Sequence, residues 1–198
     1  VEFILDETGS MTKHKTATVN GFNDFLNEQK AQQGTCLLTL TKFHTGIGQT
    51  SPYVDLDIGM VPSMKYDWFV PGDSTNLRDT VGQRLAALRE RLSTWSVKPK
   101  VLFVIMTDGG DNASRQYSVK DLNLAITQAI QEDGHNFMFL GADQDATAVG
   151  LSFGIPAGNI KSFSSSEFRE TMQTVSAATS AFRASSSYTD ADLFKTAI

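Results

Sequence analysis

The sequence predicts an α/β protein built on an open, mostly parallel sheet with one antiparallel edge strand and helices on both faces. Three observations carry that reading. Short apolar runs alternate with helical patterns over nearly the whole of the 198 residues, without repeats or low-complexity linkers. Val101-Leu-Phe-Val-Ile-Met106 is apolar without interruption, as a strand covered on both faces must be. In Tyr53–Ile58, by contrast, Val54, Leu56 and Ile58 alternate with Asp55 and Asp57, the pattern of a half-exposed strand at a sheet edge.

The remaining elements follow in order. Val1-Glu-Phe-Ile-Leu5 is a short buried strand that stops at Asp6, and a natural segment preceding it is compatible with a strand beginning at residue 1. Val19, Phe22, Phe25 and Leu26 recur at helical spacing between Thr16 and Lys30. Gly34 breaks that pattern, and residues 35–43 read as a second strand. Residues 59–76, with Pro62 and Pro71, read as an irregular connection. Leu77, Val81, Leu85, Leu88 and Leu92 then form one stripe of a helix.

After the central strand comes the polar turn 107–112. Ser118 is placed to cap a helix whose inward face is Leu122, Ala125, Ile126, Ala129 and Ile130. Phe137–Leu140 is a short strand leading to Asp143 and Asp145, and Asp145 is a natural cap for the small-residue helix after it. Residues 160–164 form one more strand. The last helix turns Phe168, Met172, Val175 and Phe182 inward. One domain thus spans residues 1–184, and the serine-rich segment 185–198 is expected to be a peripheral tail.

Composition excludes several classes of function. Seventeen basic and twenty-two acidic residues give a net charge of −5, which disfavours a broad phosphate-binding face, so nucleic acid is not an expected partner. No apolar run approaches the roughly 20 residues of a membrane span. Cys36 is the single cysteine, leaving no internal disulfide and no cysteine cluster for zinc. With no signal peptide in view, the expectation is a cytoplasmic location. Gly46-Ile-Gly48 lacks the further residues of a phosphate-cradling loop, and no nucleophile elbow of the serine-hydrolase kind is present. His14, His44 and His135 share no ligand spacing and are expected to be surface or internally satisfied residues. Trp68 and Trp95 belong to core or loop packing.

The polar segments after Leu5, Met106 and Leu140 all fall at the carboxyl ends of their strands, where open sheets of this kind bind ligands. Asp6-Glu-Thr-Gly-Ser10-Met11 places a carboxylate and two hydroxyls at alternate positions of a tight turn. Thr75, before a helix, and Asp108, ending the central strand, add oxygen donors at the same predicted edge. Such donors suit a hard cation such as Mg²⁺ or Ca²⁺. The plainer reading makes Thr8 and Ser10 simple helix caps.

Asp6-x-Thr8-x-Ser10, Thr75 and the strand-ending Thr107-Asp108-Gly109 resemble the von Willebrand factor type A (vWA) domain and its metal-ion-dependent adhesion site (MIDAS). The likeness covers residues 1–183 and implies a Rossmann-like sheet. Thr8 stands where serine is commoner in that family. Phe139–Ala146 and Ala181-Phe-Arg183 also resemble bacterial and phage-borne members. Carried over, Asp6, Thr8, Ser10, Thr75 and Asp108 would hold Mg²⁺, with Mn²⁺ or Ca²⁺ as substitutes, directly or through water.

Two carboxylates only about balance such an ion, which keeps an electrophilic open position for a partner's acidic side chain. The expected function is therefore metal-dependent binding of a protein through its Asp or Glu, with no catalysis. Glu7, Gly9, Met11, Gly109 and Asp111 are the expected partner contacts, with Asn112 and Asp143 as further rim candidates. Two alternatives compete. A Mg²⁺-dependent phosphohydrolase of haloacid-dehalogenase-like type would need a second Asp where Thr8 stands. A structural protein with a vestigial metal site would keep the fold alone.

Overall fold

The computed structural model describes residues 1–142, 145–185 and 192–194. Six strands form one sheet: β1 (Glu2–Asp6), β2 (Leu37–His44), β3 (Gly48–Asp57), β4 (Leu102–Thr107), β5 (Asn136–Ala142) and β6 (Ile160–Phe163). Their spatial order is β3-β2-β1-β4-β5-β6. Every neighbouring pair is parallel except β2 and β3, which form an antiparallel hairpin at one edge.

That edge strand starts five residues earlier than the apolar alternation indicates. Gly48-Gln-Thr-Ser-Pro52 is polar, yet an outermost strand needs only one ladder and tolerates both polarity and proline. Its pairing with β2 is interrupted by register shifts between Leu38 and Lys42, and Asp55 near the second half of the strand adopts φ 49°. Such irregularities keep an open edge from recruiting another strand.

Alternation along the strands sends side chains to two cores. Phe3, Leu5, Leu38, Leu40, Val104, Met106, Met138 and Leu140 face one side, where α1 (Lys15–Lys30) and α5 (Phe168–Ala184) cover them. Ile4, Phe43, Phe103, Ile105, Phe137 and Phe139 face the other, beneath α2 (Leu77–Ser93), α3 (Val119–Gln131) and α4 (Ala146–Ser152). The heptad-like stripes anticipated for α2 and α5 are buried as expected. In α3, Leu122, Ile126 and Ala129 are buried, while Ala125 and Ile130 pack partly exposed at the margin. The α1–α5 contact depends on Gly21, where a Cβ would stand 2.7 Å from Met172 Cγ and 3.1 Å from the Phe168 ring.

Local signals at the helix ends act as their chemistry suggests. Ser118 and Asp121 form a reciprocal capping box on α3, and Asp145 Oδ1 accepts the Ala148 N–H at the start of α4. At the other end of the fold, Lys100 donates to the carbonyls of Phe182 and Ser185, closing α5, while Arg183 donates to the carbonyls of Gln29 and Gly34 beyond α1.

One expectation about the tail is corrected. Leu193 is fully buried in the α1–α5 core, and its N–H donates to Asn159 Oδ1 at 2.8 Å, so residues 192–194 are part of the packed domain. The rest of the segment after Ser185, like Asp143, lies outside the described residues. No helix among the described residues is long and apolar enough to cross a membrane.

Asp6 ends β1 and Asp108 follows β4. These strands are neighbours in the sheet, and the chain winds outward from them in opposite directions, through β2 and β3 one way and β5 and β6 the other. The two carboxylates thus meet at the point where the strand order reverses.

Candidate metal centre

The parallel register pairs Leu5 with Met106, which sets Asp6 beside Thr107 across the next step of the ladder. Asp6 is wholly buried. Its Oδ1 accepts the Thr8 N–H at 2.7 Å, and its Oδ2 accepts the Thr107 hydroxyl at 2.5 Å. Burial raises the Asp6 carboxyl to about 6; the Thr107 and Thr8 hydrogen bonds oppose the rise and the nearby Asp108 charge adds to it.

Asp108 sits across the gap. Its Oδ1 accepts the Ser10 hydroxyl at 2.6 Å, and Ser10 Oγ lies 3.2 Å from Thr8 Oγ1. Thr75 is held from both sides, its N–H donating to Asn112 Oδ1 at 2.9 Å and its carbonyl accepting the N–H groups of Asn112 and Ala113. Gly109 shows that this hydroxyl reaches the same place: a Cβ there would lie 3.6 Å from Ser10 Oγ and 3.8 Å from Thr75 Oγ1. The structure therefore gathers two carboxylates and three hydroxyls from the ends of β1 and β4 and the start of α2.

The donor set fits a hard divalent cation. Asp108 Oδ2 is buried and accepts no hydrogen bond among the described residues, His14 Nε2 lying 3.6 Å away and out of hydrogen-bond reach, an arrangement that a bound cation would relieve. Among the described residues no three His, Cys, Asp or Glu side chains are grouped to hold a metal, so any cation here relies on hydroxyl oxygens beside the two carboxylates. The capping alternative fails on geometry. Thr8 precedes the 3-10 turn Gly9–His14 without making a side-chain cap, and no side chain caps α1 either.

Around this centre, several sequence expectations are corrected. Glu7 points away from the site into the protein, fully buried, where its Oε1 accepts Lys42 Nζ at 2.7 Å and the Val70 N–H at 2.5 Å. Met11 is 1% exposed and belongs to the α1–α5 core. Neither presents a surface to a partner. Asp111 is also turned inward: it accepts the N–H groups of Arg78 and Ser114 and the Ser114 hydroxyl, and its side chain is 5% exposed. Asn112 is exposed, and its Oδ1 also accepts the Thr75 N–H. Gly9 is exposed and Gly109 half-buried, and both remain at the mouth. Asp55 is no free solvated carboxylate, since it pairs with Arg91 at 3.0 Å.

Two residues named in the sequence, but given no role at the centre, lie there. Thr107 becomes visible as an Asp6 partner only once the β1–β4 register is known. His14 is 2% exposed, with Nε2 3.6 Å from Asp108 Oδ2 and its ring stacked on Phe168. His44 and His135 are buried as well.

No protein-family model matches the sequence, and no curated protein matches it. Solved structures do. The vWF domain of the type V pili tip protein Mfa5 from Porphyromonas gingivalis superposes with a TM-score of 0.63 at 10% identity, over 88% of this chain and 92% of that one. The fold is that of a vWA domain. Manganese-loaded TRAP protein from Plasmodium vivax gives a TM-score of 0.60 at 15% identity, over 85% of this chain and 69% of that one. Proximal thread matrix protein 1 from the mussel byssus, in a form with a zinc-occupied MIDAS motif, gives 0.58 at 13% identity and covers 89% of this chain. This vWA-like chain spans 46% of the mussel protein's length.

Proposed function

We propose that this chain is a divalent-metal-dependent protein-binding module and not an enzyme. Asp6, Thr8, Ser10, Thr75 and Asp108 hold Mg²⁺, directly or through water, and a partner's Asp or Glu completes the coordination. The observation that carries the reading is the Ser10 hydroxyl on Asp108 with the Thr75 hydroxyl close by at Gly109, while the second Asp108 oxygen is buried without a hydrogen bond. Three neutral hydroxyls and two carboxylates leave the ion able to attract a further anion. Mn²⁺ and Ca²⁺ share the preference for oxygen. Manganese in TRAP and zinc in the mussel protein lend support from domains of the same fold. Thr8, two positions beyond Asp6, supplies no carboxylate for proton transfer, which weighs against phosphohydrolysis.

Calorimetric titration of Mg²⁺ and Mn²⁺ in acetate-free buffer tests this reading. The native protein is expected to show one saturable site, lost in Asp6→Ala and in Asp108→Ala. Full affinity in Asp108→Ala would overturn the site assignment, and phosphatase turnover that depends on Asp6 would overturn the functional one.

A further inference from the structure

The chain that delivers Thr75 is gripped residue by residue. The Gly72 N–H donates to the Glu7 carbonyl at 3.0 Å, and the Asp73 carbonyl accepts the Gly9 N–H at 3.1 Å. Ser74 turns instead to the tip of the β2–β3 hairpin. Its carbonyl accepts the Thr45 N–H, and its own N–H donates to Thr45 Oγ1, both at 3.1 Å. Thr75 then bonds to Asn112 and Ala113 beyond β4. Four consecutive residues thus lean on three loops. Of these, the β2–β3 turn is the one that contributes no proposed metal ligand.

Asp73 makes the change of direction possible. Its φ of 51° lies in the left-handed region, which Asp enters more readily than most residues. Such a conformation persists where the surroundings hold it, and here the turn does so. The Asp73 carboxylate lies against it, with Oδ2 3.3 Å from Nδ1 of the buried His44. Gly46 leaves the room, since a Cβ there would stand 1.9 Å from Asp73 Oδ2 and 2.8 Å from its Cγ. Gly48 has a different cause, its own φ of 71°. The two glycines of Gly46-Ile-Gly48 are thus accounted for by the close approach of Asp73 and by the turn itself.

The bonding between Thr45 and Ser74 is reciprocal, yet both residues are exposed. Water would satisfy the same groups if the pair parted, so these bonds add little stability that solvent would not supply. What they do fix is the position of residue 74, and through it the start of the segment that carries the Thr75 hydroxyl. Groups that orient a ligand from behind govern metal affinity without touching the ion.

We propose that Thr45 is a positioning residue of the metal centre, acting through Ser74 to hold the Thr75 hydroxyl where it meets the cation. The proposal rests on the metal-binding reading above. It adds the edge hairpin as a support of a site whose ligands all lie elsewhere in the chain.

Calorimetric Mg²⁺ titration of Thr45→Val and Thr45→Ser, each beside its unfolding midpoint in EDTA, tests it. Thr45→Val keeps the branched shape and the backbone bond and deletes the hydroxyl acceptor. Its Mg²⁺ affinity is expected to fall about tenfold with the midpoint unchanged, whereas Thr45→Ser, which keeps the hydroxyl, should bind like the native protein. Amide exchange in EDTA at Ser74 and Gly9 should quicken in Thr45→Val and not in Thr45→Ser. Native affinity in Thr45→Val, an equal loss in Thr45→Ser, or a loss matched by a lowered midpoint would overturn this proposal and leave the metal site standing. No saturable Mg²⁺ site in the native protein would overturn the metal reading and this proposal with it.

Discussion

His14 Nε2 lies 3.6 Å from Asp108 Oδ2, with both side chains buried at the inner margin of the metal centre. The other Asp108 oxygen is engaged by Ser10, so the imidazole borders the carboxylate on the side the hydroxyl does not reach. The His14 ring also stacks on Phe168, the first residue of α5, at a centroid distance of 6.2 Å. Its volume and its nitrogen therefore serve different neighbours.

His14→Phe separates those two roles. The stack on Phe168 is retained, while the polar edge facing Asp108 is lost. Metal affinity is expected to fall by roughly tenfold, as when an outer partner of a ligand is removed. Calorimetry on the variant checks this, and an unchanged dissociation constant would mean that His14 does not act on the metal through Asp108.

Asp6 predicts a pH dependence of the metal-free protein. Its carboxyl is raised to about 6, chiefly by burial, above the ordinary carboxylate value it has when unfolded. The folded state therefore holds the proton more tightly than the unfolded one. Stability from this group is fully present below about pH 4 and is lost as pH rises through about 6. A difference of about two pKa units corresponds to roughly 3 kcal/mol. In EDTA, Asp6→Asn should thus gain stability over the native protein at pH 7.5, with the gap closing by pH 4. Saturating Mg²⁺ should reverse the order at pH 7.5. Urea denaturation at the two pH values measures both differences, and parallel curves for the two proteins would remove Asp6 as the cause.

The contrast between Asp6 and Glu7 shows what a sequence reveals of such a site. That Asp6, Thr8, Ser10 and Asp108 come together was legible because strand ends and i, i+2, i+4 spacing are local patterns, and Thr75 because it stands just before a helix. Glu7 and Met11 were misread because their burial is decided by remote chain. The connection that carries Trp68 and Val70 closes over Glu7, with the Gly72 N–H donating to the Glu7 carbonyl at 3.0 Å. Met11 is drawn into the α1–α5 core by the 3-10 turn that precedes α1. The fold itself was readable from alternation. The polar first half of β3 was not, since its place is fixed by pairing with β2.

Glu7 supplies its own test. The carboxylate is fully buried, and its ion pair with Lys42 leaves that ammonium only 12% exposed. Glu7→Ala would strand the lysine beside an apolar cleft, so a loss of about 3–5 kcal/mol is expected. Glu7→Gln keeps an acceptor for Lys42 and for the Val70 N–H and should cost less. Chemical denaturation of the two variants decides the matter, and equal losses would show that shape alone is required.

Asp79, in the first turn of α2, controls the opposite wall of the metal centre. One of its oxygens accepts the N–H groups of Gln116 and Tyr117, at 2.9 and 2.8 Å, and the other accepts that of Arg115 at 2.8 Å. Ser114 Oγ in turn accepts the Asp79 N–H, and Asp111 accepts from Ser114 and from the Arg78 N–H. This lattice holds the segment after Asp108 against α2, and with it the Asn112–Thr75 pairing that aims the Thr75 hydroxyl. Asp79→Ala removes three charge-assisted acceptances at once, and a stability loss of about 2–4 kcal/mol is expected. Amide exchange at residues 115–117 should accelerate well before global unfolding. Metal affinity should fall as well, although Asp79 touches no proposed ligand, because Thr75 loses its fixed position. Retention of full Mg²⁺ affinity alongside fast exchange at 115–117 would show that Thr75 is held by Asn112 alone.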